Sequence, residues 1–201
     1  MKKFLYLFIL AANYAISAPL EFITSQNVIT NELAKNAIIR KEPGFETDFL
    51  ILHCLVKKFQ PKNLFEIGTC EGYGTLIMKN AYMACSIISL DLPPNSPPFF
   101  HKPQNIGWRC KLPYQQVYGN SLTYNYLQHY PLDAWFIDGA HDYNYVNHES
   151  KKAIESSAKL IIYHDTDIDE VLQAIIDAFK EYKNYKIYRV TDSRITYVLK
   201  V

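Results

Sequence analysis

The chain has 201 residues, a formal net charge of +1, and 49% hydrophobic against 20% charged residues. That length suits one domain with a sizeable core, and the composition excludes a disordered or collagen-like chain. The near-zero charge, with no block rich in Lys or Arg, excludes an electrostatic nucleic-acid surface.

In chain order, Met1-Lys2-Lys3 precedes the apolar run Phe4 to Ala12 and the small residues Ser17 and Ala18. This pattern predicts a secretory signal peptide over residues 1–18, or else an apolar N-terminal helix, ahead of a single domain over 19–201. The apolar run is short for a membrane span, and no strong membrane association is expected beyond it. Thr24 or Ser25 is expected to cap a helix through Asn31 to Arg40, broken by Pro43-Gly44. A second helix, Asp48 to Phe59, carries acid early and base late, as the helix dipole prefers. Its His53 lies among apolar neighbours and reads as a core histidine.

From Asn63 the pattern alternates. A strand over 63–67 leads into a helix near 73–83, then a strand over 85–90 ending at Asp91. Pro93-Pro94 and Pro97-Pro98 open an irregular segment to about Leu112, too rich in proline for helix or central strand. Its Phe99, Phe100, His101 and Trp108 are candidates for a substrate lid. Strands are expected over 114–118, 132–137 and 160–163, with helices from Ser121 to about His129, Tyr145 to Ala158 and Asp169 to Tyr182. Lys186 to Val190 and Ile195 to Leu199, joined by a short turn, predict an antiparallel hairpin. The sum is an α/β fold: a doubly wound, mostly parallel seven-stranded sheet with a C-terminal antiparallel hairpin.

Cys54, Cys70, Cys85 and Cys110 are scattered and form no Cys-x-x-Cys, which argues against a structural zinc site. Disulfides would belong to an exported form.

Between the first parallel strand and its helix lies Glu66-Ile67-Gly68-Thr69-Cys70-Glu71-Gly72-Tyr73. Gly68 and Gly72 allow a sharp turn and close approach of a ligand, and the helical N–H groups that follow favour an anion. A dinucleotide fingerprint needs glycine where Cys70 stands, and no Gly-Lys-Ser/Thr follows, so both of those phosphate loops are excluded. The predicted strands end in Glu66, Asp91, Asn120, Asp138 and His164-Asp165. In a parallel sheet these share the carboxyl-end edge, where α/β folds bind ligands.

The turn at Glu66 to Tyr73 resembles the first motif of Rossmann-like S-adenosylmethionine-dependent methyltransferases. Ile137-Asp138-Gly139-Ala140-His141-Asp142-Tyr143 with Tyr163-His164-Asp165 resembles the branch of small-molecule O-methyltransferases that overlaps the cephalosporin-hydroxylase-like group. The resemblance runs from about Thr47 to the end and implies S-adenosylmethionine as cofactor and a small hydroxylated acceptor as substrate. It implies that Glu66, Gly68, Thr69 and Gly72 wrap the methionine part, that Asp91 accepts from the ribose hydroxyls, and that Asn120-Ser121 face the adenine. Asp138 closes the same pocket, and Asp138, His164 and Asp165 would hold Mg²⁺ or another divalent metal, His164 favouring a softer one. His141 is the implied general base, since its near-neutral pKa suits removal of a hydroxyl proton with or without a metal. The chain departs from the family at Cys70, where glycine is usual, and at Asn120, where Asp is usual. The acceptor pocket would be lined by the 93–112 segment, the N-terminal helices and Tyr143, and the expected assembly extends to a homodimer.

Two rivals stand beside this reading. Gly119-Asn120-Ser121 sits as a nucleophile elbow would, with His164 and Asp138 or Asp165 downstream, but lacks the second glycine. A non-catalytic protein retaining the fold and a ligand pocket is the other. The cofactor is cytosolic, which favours cytoplasmic action, while the leader-like start favours export.

Overall fold

The computed structural model describes residues 19–38, 44–94, 96 and 105–201. The signal-like stretch 1–18 and the lid candidates Phe99, Phe100 and His101 lie outside the described residues. The elements are β1 (Leu20–Ile23), α1 (Asn31–Ala34), α2 (Glu46–Phe59), β2 (Asn63–Ile67), α3 (Tyr73–Ala81), β3 (Ser86–Asp91) and β4 (Gln115–Tyr118). They continue with β5 (Ala134–Ile137), α4 (Tyr143–Glu155), β6 (Leu160–Tyr163), α5 (Asp169–Phe179), β7 (Tyr185–Val190) and β8 (Thr196–Lys200).

The sheet has eight strands in the order β1-β7-β8-β6-β5-β2-β3-β4, parallel except where β8 runs against β6 and β7. Seven were expected; the eighth is β1, which adds parallel to β7 from Leu20↔Ile187 to Ile23↔Val190. A four-residue edge strand is held by its neighbour's backbone, and Leu20-Glu21-Phe22-Ile23 shows no alternation from which to predict it. The first helix also differs. Thr30, not Thr24 or Ser25, caps α1 by accepting from Leu33 N–H, and Asn36 at φ 66 ends it early. The helix expected after Ser121 is only the 3₁₀ turn Tyr126–His129, because Tyr126 turns inward against Phe65 and Trp135. Helix α4 starts two residues before its expected position, capped by Asp142, which accepts from Tyr145 N–H.

The strands alternate sides, and helices cover both. Phe65, Trp135, Ile161 and Tyr163 pack with Val146 and Ala153 of α4 and Val171, Ile175 and Phe179 of α5. Leu64, Phe136 and Ile162 pack on the opposite face with Phe49, Leu52 and Val56 of α2 and Ile77 and Met78 of α3. Double coverage explains why β5 and β6 are buried at every position. All four cysteines are free thiols. Among the described residues no helix is long and apolar enough to cross a membrane.

Candidate ligand site at the carboxyl edge

Register brings the strand ends level. Ile67 pairs with Leu90 and Ile137, Ile137 pairs with Tyr163, and the ladder runs one step further through Gly68 N–H to Leu90 O, Asp138 N–H to Ile67 O and His164 N–H to Ile137 O. Glu66, Asp91, Asp138 and His164-Asp165 therefore close neighbouring parallel strands, as their pattern predicted. Asn120 and Ser121 follow β4 at the outer edge.

The glycine turn is built by steric need. Gly68 has φ +93, and a Cβ there would lie 2.0 Å from Asp138 O, so only glycine lets the end of β2 approach β5. Gly72 has φ +87, and its missing Cβ would lie 2.9 Å from Gly107 Cα. Asn105 to Cys110 thus lies across the turn, with Gly107 N–H donating to Cys70 O and Arg109 N–H to Glu71 O. Cys70 adopts φ 47, the left-handed conformation for which glycine is usual, and donates its N–H to Asp91 Oδ2 at 2.7 Å. Asp91 Oδ1 accepts from Leu92 N–H. Each carboxylate oxygen of Asp91 keeps a lone pair for a ligand hydroxyl.

Glu66 is fully buried behind this turn. Its Oε2 accepts from Thr75 Oγ1 and, at 2.5 Å, from Ser89 Oγ, which also bonds Thr69 Oγ1 at 2.6 Å. Gln116 Nε2 completes the network by donating to Thr69 Oγ1. Burial pushes the Glu66 carboxyl up to about 8, against the pull of the Ser89 and Thr75 hydrogen bonds, so it is held neutral at pH 7. Thr69 and Glu66 thus face the network inside the turn.

Asn120 Oδ1 accepts from Leu122 N–H while its amide nitrogen donates to Tyr145 Oη at 3.2 Å. Ser121 is buried, and Tyr126 Oη donates to its carbonyl. Three strands separate β4 from β6. At about 4.8 Å per strand this sets Ser121 roughly 19 Å from His164, so the Ser-His-Asp arrangement is not formed.

The charged groups gather at β5 and β6. His164, 4% exposed, faces three carboxylates: its Nε2 is 3.3 Å from Asp48 Oδ2, and its Nδ1 is 3.2 Å from Asp138 Oδ1 and 3.0 Å from Asp165 Oδ2. The Nδ1 makes a well-directed hydrogen bond to neither of its two neighbours. Burial opposes its charge, yet Asp138, Asp165 and Asp48 together push His164 up to about 12, so it is an imidazolium at pH 7. Phe45 and Phe49 stack on the ring. Arg194 adds a second cation, bonding Asp48 through Nε at 2.9 Å and Asp165 through Nη1 at 3.3 Å. His141 lies at the open side, Nε2 3.0 Å from Asp165 Oδ2, and that bond raises its pKa against the effect of burial. A narrow cleft of about 10 Å³, room for about one water, opens here, lined by Asp138, Gly139, His141, Tyr163, His164 and Val171.

Asp138, His141 and Asp165 each offer one ligand atom, all within 4.8 Å of one another. His164, expected among the metal ligands, stands beside this triad as a cation. Asp48 and Arg194 were not singled out in the sequence. Asp48 reads there as a first-turn helix acid, and Arg194 lies in a hairpin turn; only tertiary contact reveals their partners. Glu149 was also missed: it is fully buried on α4 beside Gly139, and burial pushes it to about 8.

No family profile and no curated protein matches the chain. Solved structures do. The S-adenosylhomocysteine-bound methyltransferase PaMTH1 of Podospora anserina superposes with a TM-score of 0.60 at 13% identity, over 78% of this chain and 79% of that one. A protein of Klebsiella pneumoniae designated an O-methyltransferase gives 0.58 at 19% identity, over 88% and 89%. The O-methyltransferase TomG of Streptomyces achromogenes, in complex with S-adenosylmethionine, gives 0.54 at 14%, over 78% and 80%. With its mostly parallel sheet closed by an antiparallel hairpin, the chain has the Rossmann-like fold of these methyltransferase structures.

Proposed function

We propose that the chain is an S-adenosylmethionine-dependent methyltransferase that methylates a hydroxyl of a small acceptor, with His141 as general base. The observation that carries this reading is the convergence of the Asp91 carboxylate and the His141–Asp165 pair on one carboxyl edge, either side of the glycine turn. The chemistry of the donor set fits the cofactor: Asp91 can accept from a ribose diol, and Asn120 offers an amide beside the exposed end of β4. When bound, the cofactor supplies an electrophilic methyl on a sulfonium. The residues of this chain do the rest. Asp165 accepts from His141 Nε2–H, which orients the imidazole and stabilises the imidazolium formed when Nδ1 takes the acceptor proton. Tyr143 and Trp108, both part-exposed, offer apolar surface to the acceptor.

A divalent metal at the triad would compete for carboxylates that already have partners. The triad atoms are close enough for one, but Asp138 and Asp165 already face His164, and Asp165 also pairs with Arg194. The base role therefore rests on His141, and no step is assigned to a metal.

Calorimetric titration of the full chain with S-adenosylmethionine tests the reading. Micromolar binding, weakened at least 10-fold in Asp91→Ala and unchanged by Mg²⁺ or Mn²⁺, is expected. Absence of binding under all three conditions overturns it, and metal-dependent affinity lost in Asp165→Ala would restore the metal.

A further inference from the structure

We infer that Arg194 is the positioning residue of the His141 base, holding Asp165 so that its Oδ2 takes Nε2–H and leaves Nδ1 for the acceptor proton. The inference rests on the methyltransferase reading, in which His141 is that base. Arg194 lies in the turn between β7 and β8. All three guanidinium nitrogens are engaged: Nε donates to Asp48 Oδ2 at 2.9 Å, Nη1 to Asp165 Oδ1 at 3.3 Å and Nη2 to the Gly44 carbonyl at 3.2 Å. The guanidinium also lies 3.9 Å from the centre of the Phe45 ring. One side chain therefore ties the hairpin turn to the end of β6 and to the start of α2.

Asp165 is gripped from both sides. Its Oδ1 accepts from Arg194, while Oδ2 faces His141 Nε2 and His164 Nδ1, each at 3.0 Å. With both oxygens engaged, the carboxylate plane is fixed. That matters because the His141 side chain is nearly half-exposed and water competes for its N–H. The backbone is held as well. Asp165 adopts φ 51, a left-handed conformation that a non-glycine residue keeps only when its surroundings enforce it. The enforcing contacts come from the same turn: Thr166 N–H and Thr166 Oγ1 each donate to Arg194 O at 3.0 Å, and Arg194 N–H donates to Asp48 Oδ1 at 2.9 Å. Arg189 stiffens that turn, donating through Nη1 to Ser193 O at 2.8 Å and Ile195 O at 3.1 Å. A planar fork of fixed donors meets these demands together; an ammonium on a flexible stem supplies the charge without the geometry.

The test reads the imidazole N–H of His141 by nitrogen-edited proton NMR on the full chain, with His141→Gln to identify the signal; no acceptor is required. In wild type the Nε2 proton should give a resolved downfield signal in slow exchange with water. Arg194→Lys, which keeps the charge, should speed that exchange at least about 10-fold, the size of one hydrogen bond to a charged group, while the backbone amide spectrum stays folded. Asp48→Asn leaves Nη1 on Asp165 and should keep the signal. The double variant Asp48→Asn/Arg194→Gln removes one charge of each sign and should lose the signal as Arg194→Lys does; it decides the matter if Arg194→Lys fails to fold. A signal unchanged in a folded Arg194 variant overturns the inference while leaving His141 as the base. Equal loss in Asp48→Asn assigns the effect to a loosened α2 and overturns it too. If wild type gives no such signal, Asp165 does not hold His141 and the inference falls, while titration with S-adenosylmethionine still decides the methyltransferase reading.

Discussion

His164 Nε2 lies 3.3 Å from Asp48 Oδ2, so the end of β6 is joined through a buried charge to the first turn of α2, which covers one face of the sheet. Asp48 is itself 1% exposed, and its pKa is lowered despite burial by His164 and by the Arg194 backbone and side chain. Three carboxylates and two cations thus form one coupled unit. Removing one member leaves buried charge without a partner, which costs far more than a surface pair. His164→Ala is expected to lose about 3–5 kcal/mol of stability in urea unfolding. Asp48→Asn should also destabilise, and the double variant should lose clearly less than the sum, because the two act through one contact. Additive losses would show that they are independent.

The His141–Asp165 pair sets the pH response of the proposed reaction. Asp165 raises the His141 pKa above its ordinary value, against burial. A base must be deprotonated to act, so kcat/KM should rise with pH through a midpoint above about 6.5. Asp165→Asn removes the anion that favours the imidazolium, and the midpoint should move down. His141→Gln should lower kcat by roughly 10²- to 10⁴-fold while cofactor affinity holds. A pH profile that does not move in Asp165→Asn would separate this pair from the chemistry.

Glu66 gives a stability signature independent of activity. Its folded pKa is raised to about 8 by burial, whereas the unfolded carboxyl titrates near 4.5. Between those values the native state holds a proton that the unfolded state has lost, so stability falls as pH rises and levels off above about 8. The slope from this group is on the order of 1 kcal/mol per pH unit. Glu66→Gln, neutral throughout, should flatten urea-derived stability between pH 5 and 8. Part of the slope should remain, because Glu149 is raised in the same way. An unchanged slope would show that Glu66 is ionised in the folded chain.

The sheet was legible because β5 and β6 are near-continuous apolar runs and the helices between them keep their period. Polar residues at Glu66, Asp91, Asp138 and His164 were legible for the same reason: a strand's end fixes where its next residue lies. What stayed hidden depends on contacts across the fold. Strand β1 has no pattern of its own. Gly107 became informative only when seen against Gly72, and Arg194 only when seen against Asp165. His164 was read as a metal ligand because residue type cannot show that three carboxylates converge on one ring. Cys70 stood out in the sequence only as a departure from the family's glycine; the fold shows that its side chain is exposed and that its backbone takes the left-handed conformation of the turn.

That backbone role makes Cys70 testable by contrast. At φ 47 the residue pays the steric cost of the left-handed region, yet its N–H reaches Asp91 Oδ2. Glycine relieves that strain but adds freedom to the unfolded chain, and the two effects largely offset. Cys70→Gly is therefore expected to change stability by less than about 1 kcal/mol and to keep cofactor affinity. Valine is β-branched and resists this conformation. Cys70→Val should lose about 1–2 kcal/mol and, by turning the N–H away from Asp91, weaken cofactor binding as Asp91→Ala does. Calorimetry and urea unfolding on the two variants decide the matter. If valine behaves like glycine, the left-handed turn does not hold Asp91 in place. If glycine tightens binding several-fold, the thiol itself obstructs the ligand.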